Sequence, residues 1–300
     1  MYDIIIVGAG TAGLSAAIYG VRAGKSVLVL EAGTYGGQII NTPAIENYPG
    51  IKNISGYEFA TNLYEQAKEL GAEIQFKKVT GIRSEKDRKL VITEDQEYEC
   101  RSVILATGAK NKPLGIEHEQ ELIGAGISYC ATCDGAFYRG KDVAVIGGGN
   151  TALEDAIFLS AYCRKVYIVH RRDTFRGEER LLNTLKKKEN VEFVLHSRVT
   201  QLLADDSLHG VILQDMNGEN ERKLDIKGLF VAIGQIPENL AFSEYVDLDQ
   251  GGYIVGKEDC KTKADGIFVA GDCRTKTVRQ LATAAADGAI AALAACEYIG

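Results

Sequence analysis

The sequence contains no extended run of lysine and arginine, no secretory leader and no cluster of metal-ligating side chains. Each absence removes a class of function. Basic residues number 34 against 41 acidic ones, a net charge of −7, so neither a nucleic acid nor an anionic membrane is expected as the main partner. Met1 runs straight into the strand-like Asp3-Ile4-Ile5-Ile6-Val7 without a basic n-region or cleavage site. That apolar run stops at Gly8, far short of the roughly 20 residues of a membrane span. A cytoplasmic location is expected. Of seven cysteines, Cys100, Cys163, Cys260, Cys273 and Cys296 stand alone, which fits a reducing compartment where solitary thiols serve as small core residues.

What remains is a pair, Cys130-Ala131-Thr132-Cys133, followed at once by Asp134. Two thiols three positions apart can close into a small reducible disulfide, and a neighbouring carboxylate can move the proton that thiol-disulfide exchange requires. Alone the pattern is ambiguous between a redox pair, a structural disulfide, half a zinc site and two unrelated thiols. Zinc would need about four ligands, and none of the four histidines sits beside the pair.

Three hundred residues exceed the usual size of one hydrophobic core, so two domains are expected. Two dinucleotide fingerprints mark them. The first, Gly8-Ala9-Gly10-Thr11-Ala12-Gly13, follows a strand pattern and opens an apolar helical one. Gly8 allows the tight turn, Gly10 lets the backbone approach a pyrophosphate, and Gly13 lets helix and strand pack closely. The next strand, Val27 to Leu30, ends in Glu31, a carboxylate placed to accept ribose hydroxyls, so FAD or NAD would fit.

The second fingerprint, Gly147-Gly148-Gly149-Asn150-Thr151-Ala152, follows Val143 to Ile146 and precedes the strand Val166 to Val169. Where the first unit has Glu31, this one has His170-Arg171-Arg172, with Arg176 close behind; the spacing of 23 from Gly147 to His170 repeats that from Gly8 to Glu31. Guanidinium groups there would pair with a 2′-phosphate, so NADPH is the expected exchanging ligand, the other reading being a solvated basic turn. The acidic site would then hold flavin. The return to a glycine-bearing strand pattern at Ile267 to Asp272 suggests that the C-terminus completes the first domain and that the second is an insertion. Residues 71–99 read as a small antiparallel layer on the first domain.

Over essentially all 300 positions these motifs resemble the low-molecular-weight thioredoxin reductases of the bacterial and plant type. Gly36-Gly37-Gln38 with Glu46-Asn47-Tyr48-Pro49-Gly50 resembles the family's flavin-cradling loop, and Ala106-Thr107-Gly108-Ala109 its first domain-exit motif. Ala131-Thr132-Cys133-Asp134-Gly135 is similar to its redox centre, and Phe230 to Gly234 to its return from the inserted domain. Gly271-Asp272 with Arg279-Gln280-Leu281 is similar to its second FAD segment; the resemblance also assigns Val79 to the cofactor contacts. Thr11 stands where the family often has proline, which leaves the three glycines intact.

The resemblance implies an α/β fold of two Rossmann-like, three-layer nucleotide-binding domains, an FAD domain of residues 1–113 and 242–300 and an inserted NADPH domain of residues 114–241. It implies tightly bound FAD, exchanging NADPH, a homodimer and thioredoxin or a similar carrier as partner. By position Cys133 is the thiol nearest the flavin, Cys130 attacks the protein substrate and Asp134 is the general acid/base. Related flavin enzymes that use ferredoxin usually lack the paired arginines that this chain keeps. Glutathione-reductase-like enzymes place their dithiol soon after the first ribose-binding acid, and residues 31–50 contain no cysteine. Peroxiredoxin-linked reductases carry an additional N-terminal region, whereas here the fingerprint begins at residue 8; a different small carrier, glutaredoxin-like or peroxiredoxin-linked, stays open as the alternative partner. A sensor of the NADPH state that does not turn over stays open. So does the role of Cys273, either a core residue or a thiol near the cofactor.

Overall fold

The computed structural model describes the whole chain apart from residues 43, 86 and 87, and of residue 41 only the main chain. It divides into two units, one of Met1–Lys110 with Ile236–Gly300, the other of Asn111–Gln235.

The first unit begins with β1 (Tyr2–Val7), α1 (Thr11–Arg22), β2 (Val27–Glu31), α2 (Gly56–Glu69), β3 (Glu73–Phe76), β4 (Val79–Ser84), β5 (Lys89–Thr93) and β6 (Glu97–Leu105). The sheet order is β3-β2-β1-β6-β5-β4. The continuous apolar run of β1 reflects cover on both faces, as parallel strands require. Ile4 and Ile6 pack among residues of α1 and the C-terminal helix, while Ile5 and Val7 pack with Phe242, Val246 and Ile254 on the other side.

Residues 71–99 are not wholly the antiparallel layer that their alternation suggests. β3 pairs parallel with β2 as an edge of the main sheet, and only β4 and β5 run antiparallel. The reason is the length of β6: its first residues pair with β5 and its last with β1.

In the second unit, after a short β7 (Lys110–Asn111) at the crossing, come β8 (Ile127–Ser128), α3 (Ala131–Asp134), β9 (Asp142–Ile146), α4 (Asn150–Ser160), β10 (Lys165–Val169), α5 (Glu179–Lys186) and β11 (Val191–Val194). β12 (Ser197–Ala204), β13 (Leu208–Asp215), β14 (Glu221–Leu224), β15 (Gly228–Val231) and β16 (Gln235–Ile236) follow. A parallel sheet of order β11-β10-β9-β15-β8 lies between two cores. Leu153, Leu159 and Leu181 of the helices fill one, and Val199, Val211 and Leu224 of the antiparallel β12-β13-β14 fill the other. Both units are thus three-layer, Rossmann-like α/β structures.

The chain crosses at Lys110/Asn111 and returns at Gln235/Ile236, earlier than the 113/114 and 241/242 boundaries drawn from the motifs. The motifs mark strand ends, whereas Lys110 and Glu238, bonded at 2.9 Å, and Asn111 and Gln235, bonded at 2.9 Å, set where contacts change partners.

β17 (Ile267–Val269) then rejoins β6 in parallel, and α6 (Leu281–Ile299) closes the first unit. By length and composition α6 could cross a membrane, but its composition has a packing cause. A Cβ on Gly288 would stand 2.2 Å from Ala12 O and 2.9 Å from Ala16 N, so glycine lets α6 press against α1. Its alanines at 284, 291, 292 and 295 are buried there.

Candidate active site

In the first unit the carboxyl ends of four strands are flush, Val7 beside Leu30 and Leu105, and Val269 beside Leu105. The segments that follow them carry Gly8 to Gly13, Glu31, Ala106-Thr107-Gly108 and Gly271-Asp272, so one sheet edge gathers four separate motifs. Ligands of open parallel sheets bind at such edges. Gly8 has a φ of +108°, and a Cβ there would lie 2.4 Å from Ala106 O; one on Gly13 would lie 1.9 Å from Gly8 O. Gly10 differs, with no heavy atom within 4 Å of its Cβ position, and it caps α1 without a side-chain bond. Open space beside uncapped amides is what a pyrophosphate requires.

Glu31 folds back on this turn, Oε2 accepting from Ala9 N at 2.7 Å and Oε1 from Gly33 N at 2.8 Å. Each oxygen keeps a lone pair for a ribose hydroxyl. The flavin-loop segment is adjacent: Gly36 N donates to Ala9 O at 2.8 Å, Gly37 follows it, and Gln38 Nε2 donates to Ala109 O. Asn47 Nδ2 donates to Gln280 Oε1 at 3.2 Å, next to Leu281 at the start of α6. Arg279 stacks on Tyr253 with its guanidinium 4.1 Å from the ring centre and donates to Asp272 O. Val79 follows the carboxyl end of β3, whose Phe76 pairs with Glu31, and its side chain packs on the core that includes Val7 and Leu30.

Asp272 supplies the sharpest test of fit. Its Oδ1 is buried with no hydrogen-bond partner among the described residues, and burial pushes the carboxyl above its ordinary range against the pull of Lys276 and Arg279. A flavin bears hydroxyl groups that would satisfy this acceptor, and the residues at the edge therefore fit the cofactor. Asn239, absent from the motifs, organises the same edge. Fully buried, it accepts from Thr107 Oγ1 at 2.8 Å and donates to Cys273 O at 3.0 Å. Cys273 itself is buried and donates to Ala270 O at 3.3 Å, which makes it a core residue under the turn.

In the second unit β8 delivers the chain to Cys130 and Cys133, which are disulfide-bonded with Cα atoms 5.3 Å apart. Ser128, not singled out by sequence, braces the loop: it accepts from Cys130 N at 3.1 Å and donates to Asp134 Oδ2 at 2.6 Å. Asp134 Oδ1 is buried without a partner among the described residues. Burial raises its carboxyl while the Ser128 bond opposes the rise, which leaves a group inclined to hold a proton. Elsewhere burial pushes Cys100 and Cys260 to about 12 and Cys163 to about 11.

The second fingerprint repeats the geometry of the first. A Cβ on Gly147 would lie 2.3 Å from Ala232 O and 2.7 Å from Ala152 Cβ, whereas Gly149 caps α4 with open space around it and Thr151 is exposed in the first turn. Two of the expected contact residues also have partners within the unit. Asn150 Oδ1 accepts from Glu178 N at 2.8 Å and its Nδ2 donates to Glu178 Oε1 at 3.3 Å, because the loop after β10 folds over the start of α4. His170 stacks on Phe175 and lies within hydrogen-bond reach of Thr174 O at 3.1 Å, and burial lowers its pKa. Arg171, Arg172 and Arg176 are exposed and make no ion pair among the described residues. Arg176 N donates to Gly148 O at 2.8 Å, which ties the third arginine to the fingerprint loop.

Comparison with known proteins agrees with this chemistry. Residues 2–289 match the pyridine nucleotide-disulphide oxidoreductase family. The chain is 41% identical over 99% of its length, and 97% of the relative's, to a 34.2 kDa protein of the rubredoxin operon of Clostridium pasteurianum. It is 40% identical over its whole length, and 95% of the relative's, to thioredoxin reductase of Bacillus subtilis. The crystal structure of thioredoxin reductase from Streptococcus pyogenes superposes with a TM-score of 0.94 at 39% identity, covering 99% of this chain and 98% of that one. With its two nucleotide-binding folds and its C-x-x-C disulfide, the chain belongs to the pyridine nucleotide-disulphide oxidoreductases and, within them, to the low-molecular-weight thioredoxin reductases.

Proposed function

We propose that the protein is an NADPH-dependent thioredoxin reductase that carries electrons through FAD and the Cys130–Cys133 disulfide. The observation that carries the reading is this disulfide beside Asp134, on the same unit as a dinucleotide fingerprint whose ribose position is basic. Gly8, Gly10, Gly13, Glu31, Gly37, Gln38, Asn47, Thr107 and Asp272 hold the flavin, and Gly147, Gly149 and Thr151 with Arg171, Arg172 and Arg176 hold NADPH. Bound flavin supplies the two-electron relay between nicotinamide and disulfide.

The protein's own groups do the rest. Reduced Cys130 attacks the carrier disulfide as a thiolate, forming a mixed disulfide and expelling a carrier thiolate that takes its proton from Asp134. Cys133 then attacks Cys130 Sγ, which closes the internal disulfide again and releases the second carrier thiol. A single reducible pair among otherwise unpaired cysteines suits a cytoplasmic, reducing setting. A second copy of the chain fits the face of α6 bearing Ala286, Ile290 and Leu293, with Ile290 at 39% and Leu293 at 53% exposure.

Arg171→Ala together with Arg172→Ala tests the donor. Each charge-assisted contact is worth roughly 1.5–3 kcal/mol, so the KM for NADPH is expected to rise at least tenfold while that for NADH stays near the wild-type value. An equal rise for both nucleotides would remove these arginines from 2′-phosphate recognition.

A further inference from the structure

Beneath the turn that carries Asp272, two cations share one carboxylate. Asp287 of α6 accepts from Arg274 Nε at 2.8 Å, Arg274 Nη2 at 2.7 Å and Lys276 Nζ at 2.9 Å. It also accepts from Gly271 N at 3.0 Å, which fastens the cluster to the residue before Asp272. The side chains of Arg274, Lys276 and Asp287 keep only 11%, 7% and 6% of their exposure. One carboxylate balances one cation, so the three together bury an excess positive charge, a costly arrangement unless a further anion stands close. Asp272 is the carboxyl beside them, with Oδ1 buried and without a partner among the described residues.

The charged and titratable groups around Asp272 come from each neighbouring segment. Its own loop contributes Lys276, Arg279 and the Cys273 thiol; α6 contributes Asp287; a preceding loop contributes Tyr253, while Arg274 and Cys260 face Asp287. Where α1 meets Gly271 it presents only Ala12. Burial raises the Asp272 carboxyl most, Lys276 is the largest influence drawing it down, and Arg279 is next.

We propose that Lys276 is a positioning residue for the flavin: seated on Asp287, it supplies the buried positive charge that keeps Asp272 a carboxylate able to accept from the flavin's hydroxyl groups. Arg274 completes the Asp287 pair and holds the turn, while Lys276 is the surplus charge. This rests on the flavin reading above. A carboxylate accepts from hydroxyl groups with both oxygens, and protonation converts one of them into a donor. FAD affinity therefore falls as pH drops through the Asp272 pKa, and removing the lysine moves that fall to higher pH.

Apoprotein of the full chain is titrated with FAD from about pH 5 to about pH 8, with binding read from the quenching of FAD fluorescence. Lys276→Gln is expected to shift the acid break upward by at least about one pH unit, hence about tenfold weaker binding below it, while Lys276→Arg keeps the wild-type break. Asp272→Asn is expected to have no break. An unmoved break in Lys276→Gln, even with affinity lowered uniformly at every pH, reduces Lys276 to packing and overturns the proposal. So does a break that persists in Asp272→Asn. Wild-type apoprotein that binds no FAD at any pH refutes instead the flavin reading beneath it.

Discussion

Cys130→Ser and Cys133→Ser each lose thioredoxin turnover by more than about 1,000-fold, the scale of loss when one member of a covalent catalytic unit is removed, while both still accept hydride from NADPH. The loss is deep because no other thiol can substitute. Cys100, Cys163, Cys260 and Cys273 are buried, with burial holding each in the neutral form, and Cys296 is half-buried with its pKa raised in the same way. The two variants differ in what they leave behind. Cys130→Ser is expected to let the Cys133 thiolate meet oxidised flavin and so to give a long-wavelength charge-transfer band. Cys133→Ser leaves Cys130 free to trap, as a mixed disulfide, a carrier whose resolving thiol has been removed. Absorption spectra and non-reducing gels separate the two. Exchanged signatures would reverse the roles, and full turnover in either variant would exclude the pair as the redox centre.

Asp134→Asn is expected to lower kcat with thioredoxin by about 100-fold or more, as losses of general acid/base groups do, with the rate of flavin reduction by NADPH unchanged. The geometry makes the direction specific. Asp134 Oδ1 is buried without a partner among the described residues, and burial disfavours the charged form and raises the pKa, while Ser128 bonds Oδ2 and draws it back. The protonated acid is thus present below a pKa higher than that of an ordinary carboxyl, and its contribution disappears as pH rises through that value. Ser128→Ala removes the opposing bond and should move this limb of the pH-rate profile upward. Asparagine cannot donate the proton, so the limb should vanish. A profile identical in wild type and Asp134→Asn would exclude the carboxyl from proton transfer.

Both nucleotide turns were legible in the sequence because their requirements are local. Gly8, Gly13 and Gly147 are needed wherever a strand end, a turn and a helix start crowd together, and the crowding shows as backbone oxygens 1.9 to 2.4 Å from the missing Cβ atoms. The redox pair was legible for the same reason. What stayed hidden depends on distance along the chain. Thr107 meets Asn239 across 132 positions, and Asp287 gathers Arg274 and Lys276 from a turn before the helix, with no motif to mark either set. For Asn150 and His170 the motif marked the loop but not the neighbours, Glu178 N and Thr174 O. Residue type reveals hydrogen-bonding capacity, not which backbone atom reaches the side chain first. β3 looked antiparallel because alternation reports exposed faces, not the direction of the neighbouring strand.

The central claim is electron flow from NADPH through flavin and one disulfide to thioredoxin, and one assay tests all of it. The purified protein is mixed with NADPH and oxidised thioredoxin, and nucleotide absorbance and thioredoxin thiols are followed together. A yellow protein with one FAD per chain is expected to oxidise one NADPH for each pair of thiols formed, with no thiols formed by Cys133→Ser. A flavoprotein that ignores NADPH yet is reduced by ferredoxin, or one that oxidises NADPH without producing thioredoxin thiols, would contradict it.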